Sequence, residues 1–421
     1  MPISDSFKQR LYPQLERIAR HFGTPFHIYD ETGIRETGDA FKKAFSGAAG
    51  GFREFFAVKA LPNPAILAIM RSLGFGLDCS STPELMLARN AGIPPDDIMF
   101  TSNNTSEAEF LVAQARGGCV LNLDDISLAA KAPLMPELVC FRYNPGSKRT
   151  GNAIIGKPEE AKYGVSDAQI ADAYRKAMER GAKRFGLHTM LASNELDYRY
   201  IVETTRMLLE LCRRLELELN IRMEFINIGG GLGIPYRPED APLDLEALGR
   251  EVRALLADFK ASYDYAPKLY TESGRYMTGP HGVLVTRVIN RKDIYRTHIG
   301  VDASMSALMR PAVYGAYHHI EAPGCEDRPR EIVDVTGSLC ENNDKFAIQR
   351  ELPKLTGGEL LVIQDTGAHG HAMGFNYNGR LRPQELILRP NGSVERIRRA
   401  ESVTDYFATL LFEPAMLAQE G

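Results

Sequence analysis

Short apolar runs alternate with longer amphipathic segments through the first 275 residues or so of the chain. This alternation is typical of a parallel sheet wrapped by helices. About eight cycles can be counted, which favours a closed (β/α)8 barrel over an open sheet. The predicted strands cover residues 53–59, 76–79, 98–101, 119–123, 138–143, 185–189, 224–228 and 268–270.

The pattern changes from about residue 269 onward. Strand-like runs at 282–289, 331–335 and 359–364 are separated by Gly, Pro and Asn, which predicts a β-rich second domain. Residues 20–29 also have an extended pattern and are expected to join that sheet. A length of 421 residues exceeds the ~250 that one core usually serves. We therefore predict an N-terminal strand segment at 1–30, a barrel at 31–275 and a β-domain at 276–421.

Charge, cysteine usage and hydropathy exclude several classes of function. A net charge of -4 provides no basic surface for nucleic acid. The six cysteines form no C-x-x-C pair, so neither a zinc site nor a disulfide framework is expected. The expected location is therefore the reducing cytoplasm. The N-terminus has no hydrophobic signal region and no apolar run approaches ~18 residues, so neither export nor membrane insertion is expected. A small-molecule substrate fits these properties.

Lys59 is the first candidate for chemistry. It closes a predicted strand in which Phe55, Ala57 and Lys59 share one face, so its side chain is expected to project into the barrel. Desolvation there would lower the amine pKa and leave the nucleophilic form that a Schiff-base lysine needs. Its position alone is equally compatible with a surface lysine at a strand end.

Four glycines, Gly229, Gly230, Gly231 and Gly233, follow the apolar run at 224–228. Peptide N–H groups without neighbouring side chains can close on a phosphate at such a junction. A flexible turn is the alternative interpretation. The spacing is not G-x-G-x-x-G and no Walker lysine follows, so a dinucleotide or P-loop site is disfavoured.

Glu272 and Arg275 follow the short run at 268–270, which places a carboxylate and a guanidinium at a strand end. In a barrel this end faces the active site. A carboxylate there could keep a cofactor's pyridine nitrogen protonated. An internal salt bridge is the alternative.

Two polar segments in the second half carry further candidates. Cys340 and Glu341 lie in a turn-rich stretch, where a thiol exposed to a site is more plausible than a buried one. His369 and His371 have the i, i+2 spacing of one strand face. We interpret them as a polar pocket wall rather than as metal ligands, and solvated loop histidines are an alternative.

In order along the chain, these segments resemble the fold-type III pyridoxal-phosphate decarboxylases, most closely the diaminopimelate decarboxylases. The resemblance spans nearly the whole chain, and the order of the motifs makes it specific. The matching motifs are FFAVKALPNP around Lys59, LDCSSTPEL at 77–85, FRYNPG at 141–146, KYG at 162–164, GGGLG, ESGR, RPAVYGAYH at 310–318, Cys340-Glu341 and a late segment at 367–378.

The resemblance implies pyridoxal phosphate bound to Lys59, a homodimer, and a Cys340 segment that reaches the partner's cofactor. Cys340 would be the proton donor. The resemblance also implies which residues contact the cofactor. Implied cofactor-binding residues are Asp78, Arg142 at the ring hydroxyl, His188 stacked on the ring, Ser193, Gly230, Gly231 and Arg275 around the phosphate, Glu272 at the ring nitrogen, and His369 and Tyr377.

Substrate choice depends on the far end of the amino acid. A second carboxylate, as in meso-diaminopimelate, calls for guanidinium and hydroxyl donors such as Arg275, Arg310 and Tyr314, and Glu341 could meet the distal ammonium. The product would be L-lysine.

Three departures from the family pattern bear on this choice: CENND replaces CESGD, GAH replaces GAY, and HTMLASN replaces H-x-G-S-Q. The alternatives are a D- or L-ornithine or lysine decarboxylase of the same fold, then an alanine racemase or a non-catalytic pyridoxal-phosphate-binding protein.

Overall fold

The computed structural model describes residues 3–151, 154 and 156–411. The predicted β-domain runs to residue 421, and its residues 412–421 lie outside those described, as do residues 1–2 of the predicted N-terminal segment. In chain order the strands are β1 Phe26–Asp30, β2 Phe52–Ala57, β3 Gly76–Cys79, β4 Ile98–Phe100, β5 Val120–Leu123, β6 Leu138–Asn144, β7 Val165–Ser166, β8 Arg184–His188, β9 Met223–Asn227, β10 Lys268–Thr271, β11 Gly282–Asp293, β12 Thr297–Val301, β13 Ile320–Glu321, β14 Arg330–Thr336, β15 Lys345–Pro353, β16 Leu360–Ile363, β17 Gln384–Leu388 and β18 Val394–Arg398.

Helices separate most of the early strands, as the alternating pattern predicts. None of the helices in the described residues is long and apolar enough to cross a membrane. In chain order they are α1 Asp5–Leu11, α2 Leu15–Phe22, α3 Glu31–Phe45, α4 Pro64–Ser72, α5 Thr82–Asn90, α6 Glu107–Gln114, α7 Leu128–Lys131, α8 Ile170–Glu179, α9 Tyr198–Leu219, α10 Leu245–Tyr263, α11 Arg275–Thr278, α12 Arg310–Tyr314 and α13 Val403–Phe407.

The chain divides into two compact units. The barrel unit comprises Ile34–Pro235 and Ala241–Met277. The β unit comprises Met1–Gly33, Tyr236–Asp240 and Thr278–Gly421.

Eight parallel strands close the barrel unit in the order β5-β4-β3-β2-β10-β9-β8-β6, with β6 returning to β5. Each of the eight predicted runs overlaps one of them. The predicted fold class, a (β/α)8 barrel with a β-rich second domain, is confirmed. Because the strands are parallel, residues at their carboxyl ends gather at one end of the barrel.

Aromatic and aliphatic side chains fill the barrel interior. Phe55, Met99 and Phe225 are buried there, and the Tyr270 ring stacks on Phe225 with centroids 4.3 Å apart. This apolar layer leaves the polar side chains at the strand ends.

A local capping signal marks the start of α4. Asn63 Oδ1 accepts a hydrogen bond from Ala65 N at 3.0 Å, and Pro64 occupies the first turn of α4. A proline is tolerated there because its missing N–H would have no partner in the helix.

The β unit is built around β1, which pairs antiparallel to β11 and parallel to β17. The expectation of extended structure from residue 20 is wrong for its first part, since α2 runs to Phe22 and the strand begins at Phe26. The cause is a helical spacing of apolar residues that the sequence interpretation missed. Those residues, buried in one core with β1, are Phe7, Leu11, Leu15 and Ile18.

Candidate active site

Lys59 lies in a 3-10 turn, Val58–Ala60, directly after β2. The strand ends at Ala57, so the predicted strand face does not include the lysine, and this part of the prediction is wrong. After this turn the chain enters α4 at Pro64. The Lys59 ammonium donates a hydrogen bond to Asp78 Oδ2 at 3.1 Å. The turn thus brings the lysine to the carboxyl end of β3.

Asp78 sets the ionisation of this pair. Its negative charge raises the pKa of Lys59 and outweighs the lowering effect of desolvation, which is partial because 51% of the Lys59 side chain is exposed. The expectation of a lowered Lys59 pKa is therefore wrong, because desolvation is accompanied by a carboxylate. Burial and the charge of Glu272 in turn raise the pKa of Asp78 to about 7, against the effect of Lys59. Lys59 therefore keeps its proton at neutral pH in this pair.

Glu272, His188 and Asn227 form a buried triad at the ends of three adjacent strands. Glu272 Oε2 lies 3.1 Å from His188 Nε2, and Asn227 Nδ2 donates to Glu272 Oε1 at 2.7 Å. Burial opposes ionisation of Glu272, but the His188 imidazole, the Lys59 charge and the amide contact lower its pKa to about 2. A fixed negative charge therefore persists at this end of the barrel at neutral pH.

Arg142 sits near the end of β6 and is held from two sides. Its Nη1 donates to Asp124 Oδ1 at 3.2 Å, and its guanidinium lies 4.2 Å from the centroid of the Tyr163 ring. Asn103 Nδ2 donates to the other Asp124 oxygen at 2.6 Å. In the closed barrel β6 is four strands away from β2 in either direction. Arg142 is thus a fixed cation on the side of the barrel opposite the strand that leads to Lys59.

The glycine loop leaves no room for side chains. A Cβ on Gly230 would lie 2.2 Å from the Glu272 carbonyl oxygen, and one on Gly231, whose φ is +88°, would lie 2.3 Å from the Ala192 carbonyl oxygen. The Gly230 amide points to Met190 Sδ at 3.2 Å. Close backbone packing, rather than flexibility, explains these glycines.

Ser193 and Arg275 come together beside this loop. Arg275 Nη2 donates to Ser193 Oγ at 3.4 Å. The bridge Glu195–Leu232 links the segment after Ser193 to the glycine loop. A hydroxyl, a guanidinium and backbone amides from these segments are the donors that a phosphate requires.

Cys340 and Glu341 belong to the β unit, in the loop between β14 and β15. Cys340 is exposed, as predicted from its polar neighbours, and its amide donates to Asn378 Oδ1 at 2.7 Å. The buried carboxylate of Asp344 fixes this loop by accepting from Leu339 N at 2.8 Å and from Met305 N at 2.6 Å. The last residue of the CENND segment is therefore a structural brace.

Arg310 is the first residue of α12 and is buried. A residue before a proline usually has an extended or turn backbone. Arg310 is helical instead, because Pro311 falls in the first turn of the helix, where proline is tolerated. The guanidinium donates to Tyr236 Oη at 2.7 Å, lies 3.0 Å from His318 Nε2 and stacks 4.7 Å from the Tyr236 ring centroid. Tyr314, at the other end of α12, is exposed.

His369 and His371 do not share a strand face. His369 lies in a turn with φ +57°, and His371 begins a 3-10 helix, His371–Met373. His371 is buried, and its Nε2 lies 3.0 Å from the Pro383 carbonyl oxygen. The i, i+2 spacing was misinterpreted because the many glycines here favour turns. Tyr377 follows in another 3-10 turn and is exposed.

A family model described as "Pyridoxal-dependent decarboxylase, pyridoxal binding domain" matches residues 32–279, more than half of the chain. The chain belongs to the pyridoxal-dependent decarboxylases. Protein TabA of Pseudomonas amygdali pv. tabaci is 48% identical to it, covering 98% of this chain and 97% of that protein. Diaminopimelate decarboxylase of Methanothermobacter thermautotrophicus is 37% identical, covering 92% of each chain.

A solved structure supports the same family. The crystal structure of diaminopimelate decarboxylase from M. jannaschii in complex with L-lysine matches with a TM-score of 0.88 at 30% identity. It covers 95% of this chain and 94% of that chain. The decarboxylase fold thus extends over both units.

The barrel residues fit the pyridoxal phosphate that this family uses. The buried polar atoms without a hydrogen-bond partner among the described residues include Asp78 Oδ1, His188 Nδ1 and Ser273 Oγ. All three lie at the carboxyl ends of barrel strands or just beyond them. Buried polar atoms normally have partners, so unpaired ones clustered beside an amine and a glycine loop are consistent with a bound polar cofactor.

Sequence reasoning missed Asn227 and Asp124, which hold Glu272 and Arg142. Asn227 interrupts an apolar run just before the glycine loop, and a polar residue at that place was the available signal. Asp124 follows the run at 119–123 in the same way. Both residues lie at strand ends, where side chains of a barrel meet.

Proposed function

We propose that this decarboxylase removes one carboxylate of meso-diaminopimelate and releases L-lysine. The observation that carries the substrate assignment is a set of five diaminopimelate decarboxylases that are 32–37% identical over 92–96% of this chain. Such coverage includes the β unit, where Arg310, Tyr314 and Glu341 are proposed to recognise the substrate.

Pyridoxal phosphate, when bound, supplies an electron sink for the pair of electrons left behind by departing carbon dioxide. Lys59 is the proposed attachment point, and Asp78 holds its amine in place. Glu272 stays ionised and is proposed to keep the cofactor's ring nitrogen protonated. His188, Arg142, Gly230, Gly231, Ser193 and Arg275 are proposed to bind the ring and phosphate, and His369 and Tyr377 to complete the cofactor site.

Cys340 is proposed to deliver a proton to the α-carbon after carbon dioxide leaves. Exposure of its side chain leaves the thiol accessible to another molecule of the chain. We propose a homodimer in which Cys340 and Glu341 of one subunit serve the cofactor of the other. Closed two-fold dimers are the commonest soluble homo-oligomers.

A cytoplasmic location is proposed as well. None of the six cysteines forms a disulfide. A thiol that donates protons in every cycle must stay reduced, which an oxidising compartment does not ensure.

Recognition of the distal carboxylate is assigned to Arg310, with Arg275 and Tyr314 as further donors. Burial of Arg310 favours this role, since charge-assisted hydrogen bonds are strong where water is excluded. Glu341 is proposed to meet the distal ammonium. A site built for the second carboxylate rejects analogues that lack it.

Measuring carbon dioxide release from meso-diaminopimelate and from D- and L-lysine and D- and L-ornithine tests the proposal, with Lys59→Ala as the inactive control. Release from meso-diaminopimelate in large excess over the others is expected. A second candidate substrate is another diamino acid, lysine or ornithine. It is favoured by Glu341, a carboxylate for a distal ammonium, and by the CENND and GAH segments, which depart from the pattern of the diaminopimelate decarboxylases. Release from lysine or ornithine alone would establish that candidate and overturn the first.

A further inference from the structure

Glu54 is a buried carboxyl group for which the proposed reaction has no use. It lies in β2, five residues before Lys59, and is 1% exposed. In the register of the barrel it stands opposite Thr271 of β10. A carboxyl group buried in a barrel strand needs hydrogen-bond partners to offset its desolvation.

The Glu54 carboxyl group binds the residues on both sides of Glu272. Its Oε1 accepts from the Ser273 amide at 2.7 Å, and its Oε2 shares a hydrogen bond with the Thr271 hydroxyl. The neighbouring backbone bond on this flank, Leu269 N to Gly51 O, is 2.9 Å. Glu54 therefore extends the barrel's hydrogen bonding beyond the point where β10 ends.

Glu272 is held from the other flank by β9. Its amide donates to the Gly229 carbonyl oxygen at 2.8 Å, while its carboxylate meets Asn227 and His188. Residues 271–273 are thus clamped between the β9 side and the Glu54 side chain. A shift of this short segment would move the Glu272 carboxylate away from its partners.

Charge balance distinguishes Glu54 from an ordinary ion-pair residue. Both hydrogen-bond partners of its carboxyl group are neutral, and no Lys, Arg or His pairs with it in the described part of the chain. Burial raises the pKa of Glu54 well above its usual value, and the charges of Glu272 and Asp78 act in the same direction. A neutral carboxyl group can brace the backbone without adding a second negative charge next to Glu272.

We propose that Glu54 is a positioning residue that fixes the Thr271–Ser273 segment and thereby the Glu272 carboxylate. The inference rests on the proposed role of Glu272 toward the cofactor. Glutamine has the same shape as a neutral carboxyl group and can accept from Ser273 N and donate to Thr271 Oγ1. Alanine can do neither. Glu54→Gln therefore removes only the ionisable group, whereas Glu54→Ala also removes the hydrogen bonds to Ser273 and Thr271.

The test compares Glu54→Ala, Glu54→Gln and Thr271→Val in the holoenzyme, with Leu208→Ala in α9 as a control for lost stability. Each variant is measured for cofactor affinity and absorption spectrum, for kcat and KM, and for Tm. Glu54→Ala is expected to weaken cofactor binding, alter the spectrum and lower kcat by about 10- to 100-fold with KM little changed, as displaced catalytic geometry does. Glu54→Gln should recover most of the loss, and Thr271→Val should fall between them.

Leu208→Ala is expected to lower Tm without changing the spectrum or cofactor affinity. If the Glu54 variants behave like this control, the role is merely structural and the inference is overturned. Equal losses in Glu54→Gln and Glu54→Ala would also overturn it. If Glu54→Ala does not fold, Thr271→Val is compared with Leu208→Ala instead, and a change in Tm alone would again overturn the inference. Spectrum and affinity do not depend on which amino acid is decarboxylated, so failure of the substrate assignment leaves this test intact.

Discussion

Glu272 Oε2 lies 3.1 Å from His188 Nε2, although the two residues are 84 positions apart in the chain. His188 ends β8 and Glu272 follows β10, and both strands pair with β9, which ends in Asn227. The contact therefore depends on the register of three parallel strands. It keeps a negative charge in a place where burial alone would neutralise it.

Glu272→Gln is expected to change the pH dependence of stability in protein stripped of cofactor. The folded-state pKa of about 2 lies below the ordinary 4.5, so the ionised group stabilises the fold above pH 4.5. That stability is lost as the pH falls toward 2. Calorimetry should show the largest Tm difference between wild type and variant at neutral pH, and the difference should disappear in acid. A difference that is constant with pH would contradict an ionised Glu272.

The fold could be predicted from the sequence further than the site could. Eight apolar runs marked the barrel strands because each strand is buried on both faces. The Glu272–Asn227–His188 triad could not be found in the same way, since it depends on strand register, which local sequence does not encode. Arg310 shows a second limit: a residue before a proline usually has an extended or turn backbone, but the fold places Arg310 and Pro311 in the first turn of α12.

Lys59 is expected to be the residue that carries the cofactor. Borohydride reduction of the holoenzyme followed by peptide mapping should place the label on Lys59, because its amine is held at the strand ends by Asp78. Lys59→Arg is the matched control, since it keeps the positive charge beside Asp78 and cannot be labelled. Label on another lysine in the wild type would contradict the assignment.

Cys340 is expected to act across a subunit interface. Lys59→Ala and Cys340→Ala are each expected to be inactive, whereas a mixture should recover about one quarter of the wild-type activity if dimers re-form at random, because each hybrid has one intact site. Subunit exchange is verified with differently tagged chains. Exchange without recovered activity would show that the sites are not shared.

Arg310→Ala is expected to separate recognition of the substrate from support of the fold. Loss of a charge-assisted hydrogen bond costs roughly 1.5 to 3 kcal/mol, so kcat/KM toward meso-diaminopimelate should fall by about 10- to 150-fold. Arg310→Lys should recover little of it, because an ammonium group cannot reproduce the guanidinium fork. The measurement is kcat/KM for meso-diaminopimelate and for lysine in each variant.

The structure also defines a competing role for Arg310, which contacts Tyr236 and His318 within the β unit. Tyr236→Phe is the matched control, since it removes one of these contacts and keeps the guanidinium. If Arg310 only supports the fold, Arg310→Ala will lower Tm and leave the preference for meso-diaminopimelate over lysine unchanged. If it binds the distal carboxylate, the preference will collapse in Arg310→Ala and persist in Tyr236→Phe, because only the first variant removes the positive charge that the second carboxylate requires.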